Sequence, residues 1–217
     1  MKLYSALGPN PRVVRMFALE KGIQLDLVAV DIMRGENRQP AFVQNVNPAG
    51  QLPALELPNG SVITEINAIC EYLEEVQPQP SLIGSTPQER AETRMWARRV
   101  DLLIAEPAAQ GFRYGEGLGL FKDRMRCIPG ASADLKLVAQ DGLKWLDAQL
   151  GDKPFLAGPR FTFADIALYG ALDFASTVGQ PLDANLAKVG AWFRRVGDRP
   201  SAAASLHPAA VKVHMHG

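Results

Sequence analysis

The sequence predicts an α/β domain followed by an all-α domain. Strand-like and helical segments alternate up to residue 76, and only helical periodicity is found beyond residue 86. The segment "QPQPSLIGSTP" between them is rich in proline, glycine and serine, which is typical of a linker. We therefore assign residues 1–77 to the α/β domain, 78–86 to the linker, 87–206 to the all-α domain and 207–217 to a tail.

The chain opens with a pattern that predicts a βαβ unit. "KLYS" is a short apolar strand, and the helix after it starts with Asn10 as N-cap and Pro11 at its first position. Val13, Val14 and Phe17 give that helix an apolar face. "QLDLVAVD" is the next strand, so we expect two parallel strands joined by a right-handed crossover.

The second half of the α/β domain predicts a hairpin and a closing helix. "NRQPAFVQNVNP" predicts a short irregular helix, and "PALEL" and "SVIT" are strands separated by a Pro-Asn-Gly turn. In "EINAICEYLEEV", Ile69, Cys70 and Leu73 recur at helical spacing and should face the core.

Two capping boxes support the all-α domain. Thr86 and Glu89 have the right spacing at the start of one helix, and Thr162 and Asp165 repeat the pattern later. Apolar residues recur helically in the segments that follow, so we expect four or five helices and no strand.

Composition excludes several classes of function. The chain has 23 basic and 23 acidic residues, which gives no electrostatic reason to expect a nucleic acid or an anionic membrane as partner. Cys70 and Cys127 form no CxxC pair, and no leader or spanning segment is apparent, so we expect a cytoplasmic protein without a metal or cofactor. All three histidines fall in the last eleven residues, which argues against a Ser/His or Cys/His hydrolase.

A proline in the hairpin suggests a peptide-binding edge. Pro53 cannot donate to a ladder, so it belongs at the first residue of a strand. A cis Leu52-Pro53 bond would leave the N–H and C=O of Leu52 available to a short peptide, as in β-addition. Glu65 offers a carboxylate to an amine, and the first helical amides, at Ile66 and Asn67, suit a carboxylate.

The runs "NPAGQLPAL", "ITEINAICEYL" and "FTFADIALYGAL" resemble those of cytosolic glutathione transferases, over nearly the whole chain except the last ten or so residues. The resemblance implies a thioredoxin-like domain followed by an all-helical domain. It also implies a homodimer that conjugates the glutathione thiolate to a small hydrophobic electrophile in detoxification, with glutathione as substrate and no cofactor. "GENRQPAFVQNVNPAG" and "GPNPRVVRMFALEKG" are similar to an atypical fungal and bacterial branch that lacks the usual catalytic Tyr, Ser or Cys.

The resemblance implies roles for individual residues in holding glutathione. The main chain of Leu52 holds the cysteinyl part, and Glu65 takes the γ-glutamyl amine. Ile66 stands where a serine is usual, so only its amide remains for the glutamyl carboxylate. Gln51 replaces a basic residue, which leaves Arg34 or Arg38 for the glycyl carboxylate. The implied glutathione contacts are Pro11, Arg12, Arg34, Gln51, Leu52, Pro53, Glu65, Ile66 and, across a dimer interface, Asp101.

The catalytic group is the main departure from the family pattern. Gly8 stands where relatives carry a catalytic serine or cysteine. The substitutes we predict are Ser5 with the helix N-terminus at Pro11 and Arg12, followed by Tyr4 and Tyr114. The resemblance places the second substrate against a pocket that includes Ala6, Leu7, Arg113 and Tyr114.

Other interpretations of these residues stay open. Within enzymes, the alternative is a glutathione-dependent isomerase, reductase or peroxidase, and disulfide exchange is disfavoured because no cysteine lies near residues 5–11. A different class is a non-catalytic protein that binds glutathione or a partner. Tyr4 also fits a core position, Ser5 a turn, and Glu65 a favourable charge at a helix start.

Overall fold

The computed structural model describes all 217 residues and divides into two compact units. The first unit contains Met1–Ser81 together with Pro200–Gly217, and the second contains Leu82–Arg199. The predicted order of an α/β unit and an all-helical unit is confirmed. The division differs from the predicted boundaries at the C-terminal end, because residues 200–217 pack with the first unit and do not form a free tail.

The first unit is built around a four-stranded mixed sheet in the order β2-β1-β3-β4. β1 pairs in parallel with β2 and antiparallel with β3, and β3 pairs antiparallel with β4, which confirms the predicted βαβ unit and hairpin. The elements are β1 (Lys2–Ser5), α1 (Pro9–Glu20), β2 (Asp26–Ala29), a 3-10 turn (Glu36–Arg38), α2 (Pro40–Asn45), β3 (Ala54–Glu56), β4 (Val62–Thr64) and α3 (Ile66–Val76).

The core of this unit lies between the sheet and the helices α1 and α3, which contact each other. Leu3, Phe17 and Leu73 are fully buried, as the apolar spacing predicts. α1 starts earlier than the sequence suggested, with Gly8 as N-cap and Pro9 in its first turn, so Asn10 is not the cap.

The second unit is helical, as predicted, with six α-helices where four or five were expected. It contains α4 (Pro87–Val100), a π-helical turn (Asp101–Ala105), α5 (Glu106–Tyr114), α6 (Leu118–Phe121), a 3-10 turn (Pro129–Ala131), α7 (Ser132–Leu150), α8 (Phe163–Thr177) and α9 (Ala187–Gly197). Both capping boxes are present, at Thr86 with Glu89 and at Thr162 with Asp165. The π-helical turn has no counterpart in the predicted pattern, since a single wider turn barely disturbs the apolar periodicity over five positions.

The chain returns to the first unit with two short helices, α10 (Pro200–Ala204) and α11 (Ala210–Val213). α10 packs against α1. Hydrogen bonds hold this segment against α1, because two arginines of α1 donate from their side chains to backbone carbonyls of the segment. None of the helices combines the length and the apolar composition needed to cross a lipid bilayer.

Candidate active site

Three backbone features meet at one end of the sheet. β1 ends at Ser5, β3 begins at Ala54 and β4 ends at Thr64, and the register pairs Tyr4 with Ala54 and Ala54 with Thr64. The turn after β1, the loop before β3 and the residue after β4 therefore lie at the same end of the sheet. The candidates Gly8, Leu52 and Glu65 belong to these three segments.

The loop before β3 contains a backbone donor and acceptor that have no partner within the chain. The Leu52-Pro53 peptide bond is cis, as the sequence suggested. No hydrogen bond within the chain uses the N–H or C=O of Leu52, and its side chain is partly buried. Because backbone polar groups in ordered structure are almost always paired, this donor and acceptor are open to an extended ligand.

Two buried asparagines hold this loop in place, and the sequence analysis missed both. Asn47 donates from Nδ2 to the carbonyl of Gln51 at 2.9 Å, and Asn37 donates to the carbonyl of Gly50 at 2.6 Å. Gly50 has φ +60°, and a Cβ there would lie 2.9 Å from the carbonyl oxygen of Asn37. The loop that carries Leu52 is thus fixed before any ligand binds. The only sequence signal was the Asn-Pro pair at the start of "NPAGQLPAL".

Glu65 has the features of a ligand-holding residue. It is the N-cap of α3 and has φ 68° and ψ 128°, a conformation that non-glycine residues rarely adopt. Such a backbone costs about 1–3 kcal/mol and persists at sites where function requires it. Its exposed carboxylate makes no hydrogen bond or ion pair within the chain.

The start of α3 supplies donors beside this carboxylate. The first hydrogen bond of the helix runs from the N–H of Ile69 to the carbonyl of Glu65 at 3.0 Å. The amides of Ile66 and Asn67 precede it and have no helical acceptor. The partly buried Ile66 therefore offers a backbone donor and no hydroxyl. The end of β4 can receive an ammonium group and a carboxylate at adjacent positions.

The first turn of α1 exposes a single backbone donor. Pro9 and Pro11 have no N–H, and the N–H of Arg12 donates to the carbonyl of Gly8 at 3.4 Å. The exposed Asn10 therefore carries the one unpaired amide at this helix N-terminus. Pro11 and Arg12 were predicted as ligand contacts, but neither has a free amide, and the guanidinium of Arg12 is buried.

The conformation of Gly8 explains why no serine or cysteine stands there. Its φ of 153° and ψ of 159° lie in a region that is essentially restricted to glycine. A Cβ at this position would approach only Cδ of Pro11, at 3.9 Å, so space is not the constraint. The backbone conformation alone therefore selects glycine.

The two hydroxyls of β1 are directed to partners within the chain. Ser5 is buried, and its Oγ accepts from Nη1 of Arg15 at 2.7 Å. Tyr4 donates its hydroxyl to Oε2 of Glu56 at 2.7 Å, and Lys2 donates to Oε1 at 2.8 Å. These placements argue against both residues as direct donors to a thiol, because Ser5 is 5% exposed and the single hydroxyl proton of Tyr4 is already donated to Glu56.

Electrostatics supports the same conclusion for Tyr4. Its hydrogen bond to Glu56, with help from burial, raises the pKa of the Tyr4 hydroxyl, while bonds from Lys2 and then Tyr4 lower the pKa of Glu56. A hydroxyl that is harder to ionise, and that donates to a carboxylate, is poorly suited to stabilise a thiolate elsewhere.

We therefore expect Tyr4→Phe to leave the pKa of bound glutathione unchanged and to change kcat less than about twofold, because the lost hydrogen bond lies outside the reacting groups. The measurement is a pH titration of the thiolate absorbance with steady-state rates in the same preparation. A tenfold loss of kcat with an upward shift of the thiol pKa would contradict this assignment.

Of the two arginines predicted for the glycyl carboxylate, only Arg38 lies at the loop that precedes Leu52. Arg34 is highly exposed and forms an ion pair with Asp31 at 3.6 Å. Arg38 lies against Gly50, and its Nη1 donates to the carbonyl of Ala49 at 3.4 Å. Of the two cations that the sequence offered, the structure brings Arg38 to the loop that precedes Leu52.

The candidates outside this end of the sheet are placed as follows. Ala6 is buried at 3% exposure and presents almost no surface to a substrate, while Leu7 is partly buried. Tyr114 is the last residue of α5, in the helical unit. In the same unit Arg113 pairs with Glu106 at 3.5 Å, and Asp101 pairs with Arg98 at 2.9 Å.

Comparisons with known proteins identify the family. Family models described as glutathione S-transferase N-terminal domain and C-terminal domain match residues 8–76 and 131–195. Glutathione S-transferase 2 of Saccharomyces cerevisiae is 30% identical over 201 residues, 89% of this chain and 84% of that protein. A maleylacetoacetate isomerase of Pseudomonas aeruginosa is 34% identical over 221 residues, 99% and 95% of the two chains. The crystal structure of Gtt2 from Saccharomyces cerevisiae has a TM-score of 0.87 at 29% identity, covering 95% of this chain and 100% of that one.

The fold and these matches define a thioredoxin-like domain joined to an all-helical domain, the architecture of the cytosolic glutathione transferases. The chain belongs to the glutathione S-transferase family, and it is a glutathione transferase. Its place in the atypical branch stays a prediction.

Proposed function

We propose that this transferase conjugates the thiolate of glutathione to a small hydrophobic electrophile. The proposal is based on two groups that lie at the same end of the sheet and have no partner within the chain. They are the backbone N–H and C=O of Leu52 and the carboxylate of Glu65. The backbone of the cysteinyl residue pairs with Leu52 as an added strand would. The amine of the γ-glutamyl group pairs with the carboxylate of Glu65. The carboxylate of the γ-glutamyl group accepts hydrogen bonds from the first amides of α3.

Activation of the thiol is assigned to the N-terminus of α1. A thiol with a reference pKa of about 8.5 must ionise near neutral pH, and a helix N-terminus stabilises the anion. Asn10 supplies the one unpaired amide there, and Gly8 permits the turn that presents it. This replaces Ser5 and Tyr4 as first candidates. Tyr114 and Arg113 remain proposals for contacts to the second substrate.

A glutathione-dependent isomerase is the second candidate, favoured by the relative named maleylacetoacetate isomerase. Both reactions begin with addition of the thiolate to an electrophilic carbon. In conjugation with an aryl halide, the carbon–sulfur bond remains, the carbon–halogen bond breaks with loss of halide ion, and glutathione is consumed. In isomerisation, the thiolate is expelled after rotation about the former double bond, so glutathione is regenerated.

The test is a balance of glutathione during turnover. The protein is incubated with glutathione and, separately, with an activated aryl halide and with a cis-enedione of the maleyl type. We expect stoichiometric loss of glutathione with the aryl halide. Conversion of the enedione without net loss would support the isomerase, and tight binding without turnover of either compound would leave a glutathione-binding protein.

We further propose a cytoplasmic homodimer. Both cysteines are free thiols, which suits a reducing compartment. Met95, Leu102 and Leu103 are 40%, 51% and 40% exposed on α4 and the turn after it, an apolar strip of the kind that marks interfaces. Analytical ultracentrifugation tests this: we expect a species of twice the 23.6 kDa chain mass, and a monomer across micromolar concentrations would contradict it.

A further inference from the structure

Two arginines of α1 connect its first turns to the C-terminal segment, residues 200–217. Arg12 donates from Nη2 to the carbonyl of Ala202 at 3.0 Å and from Nη1 to the carbonyl of His216 at 3.5 Å. Arg15 donates from Nε to the carbonyl of Ser205 at 2.9 Å. Arg15 also donates to Ser5, so the same side chain joins the end of β1 to the segment.

These arginines are unusually buried for charged side chains. Arg12 is 1% exposed and Arg15 is 8% exposed, and Nη2 of Arg15 has no hydrogen-bond partner. Burial, followed by the neighbouring charge of Arg12, lowers the pKa of Arg15 to about 10, so it stays protonated at neutral pH. Burial of a cation with an unsatisfied donor is costly, and simple packing does not require it.

The same segment reaches the N-cap of α1. Gly217 lies against Gly8, and a Cβ on Gly217 would overlap the backbone nitrogen of Gly8 and come within 2.7 Å of its Cα. The N–H of His207 donates to the carbonyl of Gly217 at 2.7 Å, which fixes the last residues in a closed loop.

Gly217 contacts the backbone of Gly8 and not the space that a side chain at position 8 would fill. A Cβ built on Gly8 meets only Pro11, so Gly217 is not in the direction in which a side chain at position 8 would project.

We propose that the C-terminal segment is a positioning element for thiol activation: through Gly217, Arg12 and Arg15 it holds the turn at Gly8 so that the amide of Asn10 points at the glutathione sulfur. This inference rests on the proposed function, since it assumes that the N-terminus of α1 stabilises the thiolate. The segment contributes no atom to the reaction. Its residues act on the sulfur only through the backbone of the turn.

The test variant is Gly217→Ala, which places one methyl group against the backbone of Gly8. Gly130→Ala is the matched control, because Gly130 is exposed and nothing lies within 4 Å of a Cβ there. We expect Gly217→Ala to raise the pKa of bound glutathione by about one unit and to lower kcat/KM at neutral pH about tenfold. The dissociation constant for glutathione should change less than about twofold, because Leu52 and Glu65 are untouched.

Two further readouts separate positioning from general stability. The activity of Gly217→Ala should approach that of the unsubstituted protein above pH 9, where the thiol ionises unaided. Amide hydrogen exchange should accelerate in the first turn of α1 and remain unchanged in α3.

An unshifted thiol pKa in Gly217→Ala, or an equal loss of activity at all pH values, would overturn the inference. If the unsubstituted protein itself bound glutathione with an unshifted thiol, the proposed activation at α1 would fail. The two failures are therefore distinguishable.

Discussion

Glu65→Gln is expected to weaken glutathione binding about 10- to 100-fold, because an ammonium–carboxylate hydrogen bond is replaced by a neutral one at the γ-glutamyl end. Calorimetric titration of glutathione measures the effect. Glu75→Gln is the matched control, since Glu75 is an exposed carboxylate on the same helix but lies more than two turns from its N-terminus. The control should bind as the unsubstituted protein does.

Glu65→Gly provides a sharper signature of the same claim. Glycine adopts φ 68° without penalty, so this variant should lose binding while its thermal stability is maintained or increased. Loss of binding together with a large fall in the melting temperature would indicate that Glu65 serves the fold, and binding at the unsubstituted affinity would contradict its assignment as the amine partner.

Asp165→Ala should destabilise the helical unit by about 4 kcal/mol, the largest stability effect that we predict. The buried carboxylate accepts from the N–H of Leu156 at 2.9 Å, from Nε1 of Trp192 at 2.8 Å, and from both the N–H and Oγ1 of Thr162 at 2.9 and 3.1 Å. Alanine leaves these donors buried without an acceptor. Urea unfolding at neutral pH measures the change.

Asp165→Asn keeps the shape of the side chain and one acceptor oxygen, so it should lower the free energy of unfolding by less than the alanine variant does. Asp152→Ala is the control at an exposed aspartate, and its free energy of unfolding should lie within about 0.5 kcal/mol of that of the unsubstituted protein. Equal stabilities of the alanine variants at 152 and 165 would show that the buried network contributes nothing.

Local patterns predicted the elements that build the site. Apolar alternation and a single Asn-Gly turn were sufficient to predict the βαβ unit and the hairpin, because short connections restrict how consecutive strands pair. The pairing of β1 with β3, which joins the two into one sheet, was not predicted. Pro53 and Glu65 were found from backbone rules alone: one cannot donate to a ladder, and the other precedes a helix. Both capping boxes were equally local signals.

The features that the sequence did not reveal depend on contacts between distant residues. Arg12 and Arg15 look like ordinary surface charges, and only the carbonyls of residues 202, 205 and 216 explain their burial. The start of α1 was misplaced because a Pro-Asn-Pro run permits two helix starts, and the conformation of Gly8 decides between them. The sequence could not decide between Arg34 and Arg38 as the candidate for the glycyl carboxylate. The choice depends on how the loop at Gly50 folds back against Arg38.

The most direct test of the account is a pH titration of the thiolate absorbance of glutathione bound to the unsubstituted protein. We predict saturable binding and a thiol pKa below the solution value of about 8.5, because the amide of Asn10 and the positive end of α1 favour the anion. An unshifted thiol in a saturated complex would contradict activation at α1. Failure to bind glutathione would contradict the assignments of Leu52 and Glu65.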